Sequence, residues 1–237
     1  MLSFAPPRRS CGKGAGWRSK RGMQYRIVNR RNEKASISPA MGPGRMRIKR
    51  GMDILLSLMG MAVCSPLFLL VAAVMAVHWR GCPFFCQERV GRGGRIFRIY
   101  KFRTMPDDAE ARGPQLTAAA DARLTPLERF VRSRHLDELP QLWNVLTGDM
   151  SMVGYRPERA CFVERIMAED PRYACLLCMR PGVTSEATLY NGYTDTMEKM
   201  LVRLNMDLQY LETATLRKDV QIMFRTAFAL FRSEDKQ

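Results

Sequence analysis

The sequence predicts an α+β, mostly helical fold: a monotopic membrane protein with one kinked re-entrant membrane helix, interfacial amphipathic helices and a small β-hairpin. Three observations carry that prediction. Ile54 to Val77 are 24 consecutive residues without a charge, enough to reach across a bilayer. Two runs rich in β-formers, 84–90 and 96–102, flank Gly91-Arg92-Gly93-Gly94 and read as a hairpin. Further along, apolar residues recur at helical spacing in several separate stretches.

Composition narrows the partners. The 237 residues suit one domain with appendages, and the net charge of +15 implies an anionic partner: nucleic acid, lipid headgroups or phosphorylated molecules. Seven cysteines form no secreted-type framework and read as reduced thiols. A zinc site joining His78, Cys82 and Cys86 to Cys175 and Cys178 is disfavoured by the spacing.

Residues 1–44 carry many arginines and lysines against the single acid Glu33, with no apolar period. They read as a disordered basic tail able to lie on anionic lipid. The apolar run that follows has Ser65-Pro66 at its middle. Proline removes a backbone hydrogen bond and the neighbouring serine can satisfy the freed carbonyl, which gives a kink. Both flanks are basic, with Lys49 and Arg50 before and Arg80, Arg89 and Arg92 after, so the positive-inside tendency keeps both ends in the cytoplasm. A helix that enters, bends and leaves on the same face satisfies all of these facts. Asp53 is expected to pair with Arg50 or another cation at the interface.

In the hairpin, the glycine run is read as a turn, since no lysine and serine or threonine of a phosphate loop follow it. Lys101 and Arg103 alternate with Phe102 and so share one face, either a solvated basic strand or part of a binding pocket. Residues 106–122 read as a mobile loop. Thr125-Pro126-Leu127-Glu128 is a capping box with proline at the first helical position, opening a short helix with Leu127, Phe130 and Val131 inward.

The next stretch organises the rest. Leu139, Leu142, Trp143 and Leu146 follow the spacing of a helix with one buried face, Gly148 stands at its C-cap, and Pro140 fits only its first turn. The helix is therefore expected to begin near Asp137, where the dipole would keep an acid ionised and a phosphate could dock beside it. The plain alternative is that Asp137 only caps and Glu138 only decorates. Arg132 upstream and Arg156, in a stiff Gly/Pro loop, are forked phosphate ligands within reach of such a site. Residues 160–168 read as a helix, Met179 to Thr184 as a turn into a loop, and Met197, Met200, Leu201, Leu204, Leu208 and Leu211 as one apolar helical stripe. Residues 220–231 mix aromatic and basic residues as a helix lying in the headgroup plane does.

The block Leu136-Asp137-Glu138-Leu139-Pro140-Gln141-Leu142-Trp143-Asn144-Val145, with Gly148-Asp149-Met150-Ser151 and Arg156-Pro157-Glu158 after it, resembles the bacterial sugar transferases, the monotopic phosphoglycosyl transferases. Lys49-Arg50-Gly51-Met52-Asp53, Lys101-Phe102-Arg103-Thr104-Met105, Asp207-Leu208-x-Tyr210 and Asp219-Val220-x-Ile222 match further blocks. The resemblance implies transfer of a sugar 1-phosphate from a nucleotide sugar, UDP-linked, to polyprenyl (undecaprenyl) phosphate at the bacterial inner membrane. It implies a covalent phosphosugar on Asp137, with Mg2+ held by Asp137 and Glu138. Glu138 could also serve the acceptor as a base. Arg132, Arg156, Lys101 and Arg103 would bind phosphates, Ser65 and Pro66 would make the membrane kink, and Asp219 would either reach the site or form a structural ion pair.

On that reading 45–80 is the re-entrant helix and 81–237 a cytoplasmic catalytic domain with interfacial helices. Nucleic acid is not an expected partner, and homo-oligomerisation is left open. Tyr155 stands where the family has proline, His135 where it has serine, and Ser185-Glu186-Ala187-Thr188 where many members have Gly-Trp-Ala-Gln. These departures bear on the donor sugar and the pocket rim. The rival reading is a non-catalytic basic membrane adaptor or nucleic-acid binder whose Asp-Glu pair is only a cap.

Overall fold

The computed structural model describes residues 39–106, 124–190 and 194–231. The basic tail up to residue 38 and the expected loop over 107–122 lie outside the described residues. One helix, α1 (Pro43–His78), carries the apolar run and is the one described helix long and apolar enough to cross a membrane. Pro66 lies inside it, and Ser65 Oγ donates to Ala62 O at 2.8 Å, the carbonyl that proline leaves without its amide donor. Serine thus repairs the proline defect as the sequence suggested, within a helix that is continuous from end to end.

The predicted hairpin forms with the predicted bounds. Strands β1 (Phe84–Val90) and β2 (Ile96–Phe102) pair antiparallel, Phe84 opposite Phe102 and Val90 opposite Ile96. Helix α2 (Pro126–Ser133) has the full capping box, with Thr125 and Glu128 bonding each other's backbone amides. Val131 is buried, but Phe130 is 53% exposed and turns outward, contrary to the expected apolar face. The buried position on that side is instead Glu128, whose carboxylate lies 2.9 Å from His78 Nε2 at the end of α1.

The next helix is shorter than its pattern implied. A 3-10 turn spans Leu136–Glu138, and α3 (Gln141–Thr147) starts three residues beyond it. Its buried face is Gln141, Asn144 and Val145, while Trp143 is 49% exposed. Tertiary contacts override the apolar stripe here. Asn144 Nδ2 donates to Arg98 O at 2.7 Å and its Oδ1 accepts from Tyr100 N at 3.1 Å, so the amide extends the free edge of β2 as another peptide would. Leu142 faces α1 instead, where a Cβ on Gly60 would lie 3.3 Å from its Cδ1.

Gly148 ends α3 at φ 93°, as expected of a C-cap glycine. The last carbonyls of α3 are then held by α1: Arg50 donates to Val145 O at 2.6 Å and Leu146 O at 2.8 Å. This corrects the expected Arg50–Asp53 pair. Asp53 is buried and accepts from Ser151 Oγ and Met152 N at 3.1 and 3.0 Å, and the cation that acts on it through space is Arg180, in keeping with the other cation the sequence allowed for.

Met179 to Thr184, read as a turn into a loop, contains a strand. β3 (Ser151–Val153) and β4 (Gly182–Thr184) form a short parallel pair. Three-residue strands from distant segments carry no readable period. Gly154 and Gly182 permit the approach: a Cβ on either would collide with the other strand's backbone. α4 (Ala160–Glu169), α5 (Tyr173–Leu176), α6 (Glu186–Tyr190), α7 (Met197–Thr213) and α8 (Leu216–Phe231) complete the chain. The apolar stripe of α7 is buried as expected, packing Met200, Leu204, Leu208 and Leu211 against Val163, Ile166 and Leu176. Each such aliphatic side chain taken from water contributes on the order of 1.5–3 kcal/mol.

α1 packs against the rest of the protein near both of its ends, with Gly60 against Leu142 between them. Near its start, Lys49 and Arg50 engage α8 and α3. Near its end, Val71 and Met75 bury against Phe102 and Val131.

Candidate active site

Three elements meet at one polar cavity. β2 supplies Lys101, its penultimate residue, the 3-10 turn supplies Glu138, and the segment after β3 supplies Arg156. Arg89 of β1 and Gln141 of α3 complete much of the lining. Asn144 fixes α3 to β2, and so sets the distance between the acid turn and Lys101. Lys101 Nζ donates to Glu138 Oε1 at 2.7 Å, and Arg156 Nη2 stands 3.5 Å from the same oxygen. Burial alone would raise the Glu138 carboxyl, but Lys101, Arg156 and His135 together hold it below the usual carboxylate range.

Asp137, the adjacent residue, behaves in the opposite way. It is 7% exposed, and burial pushes its carboxyl up to about 6, with Lys101 pulling against that and Glu138 adding to it. Burial rather than a helix dipole therefore dominates at Asp137, and a carboxyl at about 6 still stays mostly ionised at neutral pH. The α-helix starts only at Gln141, and desolvation outweighs what a short turn offers. Asp137 accepts no hydrogen bond from any described residue. Arg132 acts on it through space, and Arg132 Nη1 is buried without a partner among the described residues. A left-handed His135, φ 53°, reverses the chain between α2 and the acid turn.

The other sequence-nominated residues go elsewhere. Arg103 lays its guanidinium 4.3 Å from the Trp79 ring centroid, and Trp79 Nε1 donates to Arg103 O at 2.8 Å, tying the end of β2 to the end of α1. Asp219 takes the structural role: buried in α8, it accepts from Lys49 Nζ at 2.6 Å and from the Tyr210 hydroxyl. The sequence reading did not nominate Arg89, Gln141 and Asn144 as site residues. Polar residues on the inner face of a helix were the signal for the last two; nothing local marks Arg89.

What the arrangement can do is plain in outline. An ionisable carboxylate that accepts no hydrogen bond from the described residues lies beside a second carboxylate that is already neutralised, with Arg132 and Arg156 as positive charge for phosphate oxygens. Among the described residues no group of three or more His, Cys, Asp or Glu side chains is placed to hold a metal.

The family description of the bacterial sugar transferases matches residues 44–233, a stretch containing every residue of this cavity. The chain belongs to that family. Among its relatives in the bacterial sugar transferases is the UDP-N-acetylgalactosamine-undecaprenyl-phosphate N-acetylgalactosaminephosphotransferase of Aeromonas hydrophila. It is 38% identical over 82% of this chain and 46% of its own length. The UDP-glucose:undecaprenyl-phosphate glucose-1-phosphate transferase of Caulobacter vibrioides is 37% identical over 79% of this chain and 71% of its own length. The exopolysaccharide production protein PSS of Rhizobium leguminosarum is 35% identical over 76% of this chain and 92% of its own length. The chain thus spans about half of the Aeromonas relative and most of the Rhizobium one.

Proposed function

We propose that this chain transfers a sugar 1-phosphate from a UDP-linked sugar to undecaprenyl phosphate, releasing UMP, as the first membrane step in building a surface polysaccharide. The observation that carries the reading is Asp137: buried, ionisable and without a hydrogen bond from any described residue, beside a Glu138 that Lys101 and Arg156 keep neutralised. The activities for which the Aeromonas and Caulobacter relatives are named support the same donor and acceptor classes.

In the proposed sequence, an Asp137 carboxylate oxygen attacks the phosphorus that bears the sugar. The bond from that phosphorus to the oxygen bridging to UMP breaks, and UMP leaves with the electron pair. A phosphate oxygen of undecaprenyl phosphate then attacks the same phosphorus and displaces the Asp137 carboxylate, giving the diphosphate-linked sugar. Arg132, with a buried donor that has no partner among the described residues, and Arg156 bind phosphate oxygens. Lys101 holds Glu138 in place and lowers the Asp137 carboxyl toward its ionised form.

Magnesium fits this site, since the ion is usually held by one or two carboxylates together with substrate phosphates, and Asp137 offers a carboxylate with no other bond to break. Asp137 and Glu138 would hold it, and when bound it would spread the charge of the diphosphate.

We place α1 as a re-entrant helix in the cytoplasmic membrane, with the remaining domain on the cytoplasmic face. In support, both ends of α1 pack on one body, through Arg50 to α3 and through Met75 to Phe102, while Leu55, Val63 and Leu69 between them are exposed. Phe224 and Phe228 on α8 and Trp143 on α3 are exposed as well, and aromatic residues of this kind anchor at headgroup level. Reporter fusions at both termini should both read as cytoplasmic; a periplasmic C-terminus would refute this placement.

The activity is tested with protein in nanodiscs, undecaprenyl phosphate, magnesium and a panel of UDP-sugars. UMP should be released with at least one donor, and a rapidly quenched reaction should carry the sugar-phosphate mass on Asp137. Release of UDP, or full turnover by Asp137→Asn, would overturn the assignment.

A further inference from the structure

Arg156 reaches Glu138 from a segment without regular structure, and what holds that segment is a layer of charged residues behind the cavity. The backbone N–H of Arg156 donates to the carboxylate of Asp207, which α7 buries at 3% exposure. The next carbonyl, Pro157 O, accepts from Arg89 Nη1 at 3.0 Å. Glu158, one residue on, lies 3.4 Å from Arg89 Nη1 on one oxygen and 3.6 Å from Arg203 Nη1 on the other, and its own carbonyl accepts from Val90 N at 2.9 Å. Arg203 and Asp207 are four residues apart and so share one face of α7. Three consecutive residues of the loop are thus each gripped by α7, by β1 or by both.

From this layer we propose that Asp207 and Arg203 of α7 are positioning residues for the transfer reaction, fixing the Arg156-Pro157-Glu158 backbone so that the Arg156 guanidinium is presented at Glu138 and the substrate phosphates. Neither touches the reacting atoms. Backbone bonds from Gly182 N to Tyr155 O and from Val90 N to Glu158 O pin the two sides of Arg156, the side-chain contacts hold the stretch between them, and a guanidinium displaced by about 1 Å loses on the order of 100-fold in rate. Charge pairing offsets part of the burial: Glu158 is shared between Arg89 and Arg203, while burial pushes the Asp207 carboxyl up to about 8, so at neutral pH it accepts from the loop largely as a protonated acid.

The proposal rests on the transferase reading, so the test carries a readout independent of turnover. Wild type, Asp207→Ala, Asp207→Asn, Arg156→Ala and the double variant Asp207→Ala/Arg156→Ala are compared in nanodiscs. UMP release is measured, together with amide hydrogen exchange of peptides covering 153–159. Asp207→Ala should speed exchange in that peptide and lower kcat/KM by about 10- to 100-fold. Asp207→Asn, which keeps an oxygen for the Arg156 amide, should restore most of both. In the Arg156→Ala background, removing Asp207 should cost no further rate, since the two losses share one cause.

Additive losses in the double variant, or unchanged exchange at 153–159 in Asp207→Ala, would overturn the positioning role. Absence of UMP release from wild type with every donor would overturn the transferase reading instead, while the exchange data would still decide whether α7 holds the loop.

Discussion

Replacing Lys101 with methionine probes the electrostatics of the acid pair most directly. Lys101 Nζ lies 2.7 Å from Glu138 Oε1, and its charge is the largest influence holding the Asp137 carboxyl down against burial. An opposite charge at such range lowers a carboxylate by about 1–3 pH units. Without it the Asp137 carboxyl, at about 6 in the native protein, should titrate somewhere between about 7 and 9. A nucleophilic carboxylate works only when ionised, so the rate of the first half-reaction should rise with pH through the Asp137 value and then level off. Wild type should be roughly 97% ionised at pH 7.5, and the variant between roughly 3% and 76%.

The assay is the single-turnover burst of UMP from pH 5 to 9.5, taken with saturating donor. The expected result is a midpoint displaced upward by one unit or more, with much of the lost rate recovered at high pH. A variant that is uniformly slow with an unmoved midpoint would show that Lys101 acts only by contact, and that Asp137 is not the titrating nucleophile.

Asp137→Asn should remove activity yet raise stability. Moving the carboxyl from its ordinary 3.8 to about 6 means the folded state binds the proton more tightly than the unfolded state, so wild-type stability falls as pH rises through that window. The variant should gain on the order of 1–3 kcal/mol above about pH 6 and nothing below about pH 4, measured as denaturant midpoints in detergent. Asn144→Leu should strip Tyr100 N–H and Arg98 C=O of their partners, costing about 2–5 kcal/mol, and a melting temperature equal to wild type would refute the sheet-edge role of that amide. Phe224→Asp with Phe228→Asp should weaken co-sedimentation with anionic vesicles for a chain whose α1 charge-free run is shortened, without altering the far-ultraviolet helix signal; undiminished binding would remove α8 from the membrane interface.

Local patterns determined much of this protein. The hairpin bounds, the capping box at Thr125, the Ser65 repair of the Pro66 defect, the Gly148 cap and the buried stripe of α7 all follow from contacts a few residues apart, and the sequence spells those out. The acid pair and its family were also legible, because they lie in one unbroken block. Tertiary structure alone decided the rest. That Asp53 bonds Ser151 and Met152, that Arg50 caps α3, and that Asn144 joins the edge of β2 depend on segments roughly 45 to 100 residues apart. So does the unequal behaviour of two adjacent carboxylates. Asp137 and Glu138 have the same intrinsic chemistry, but only one of them meets Lys101 and Arg156 at close range. The other is left to burial, and desolvation is a property of the packed whole that no short stretch of sequence contains.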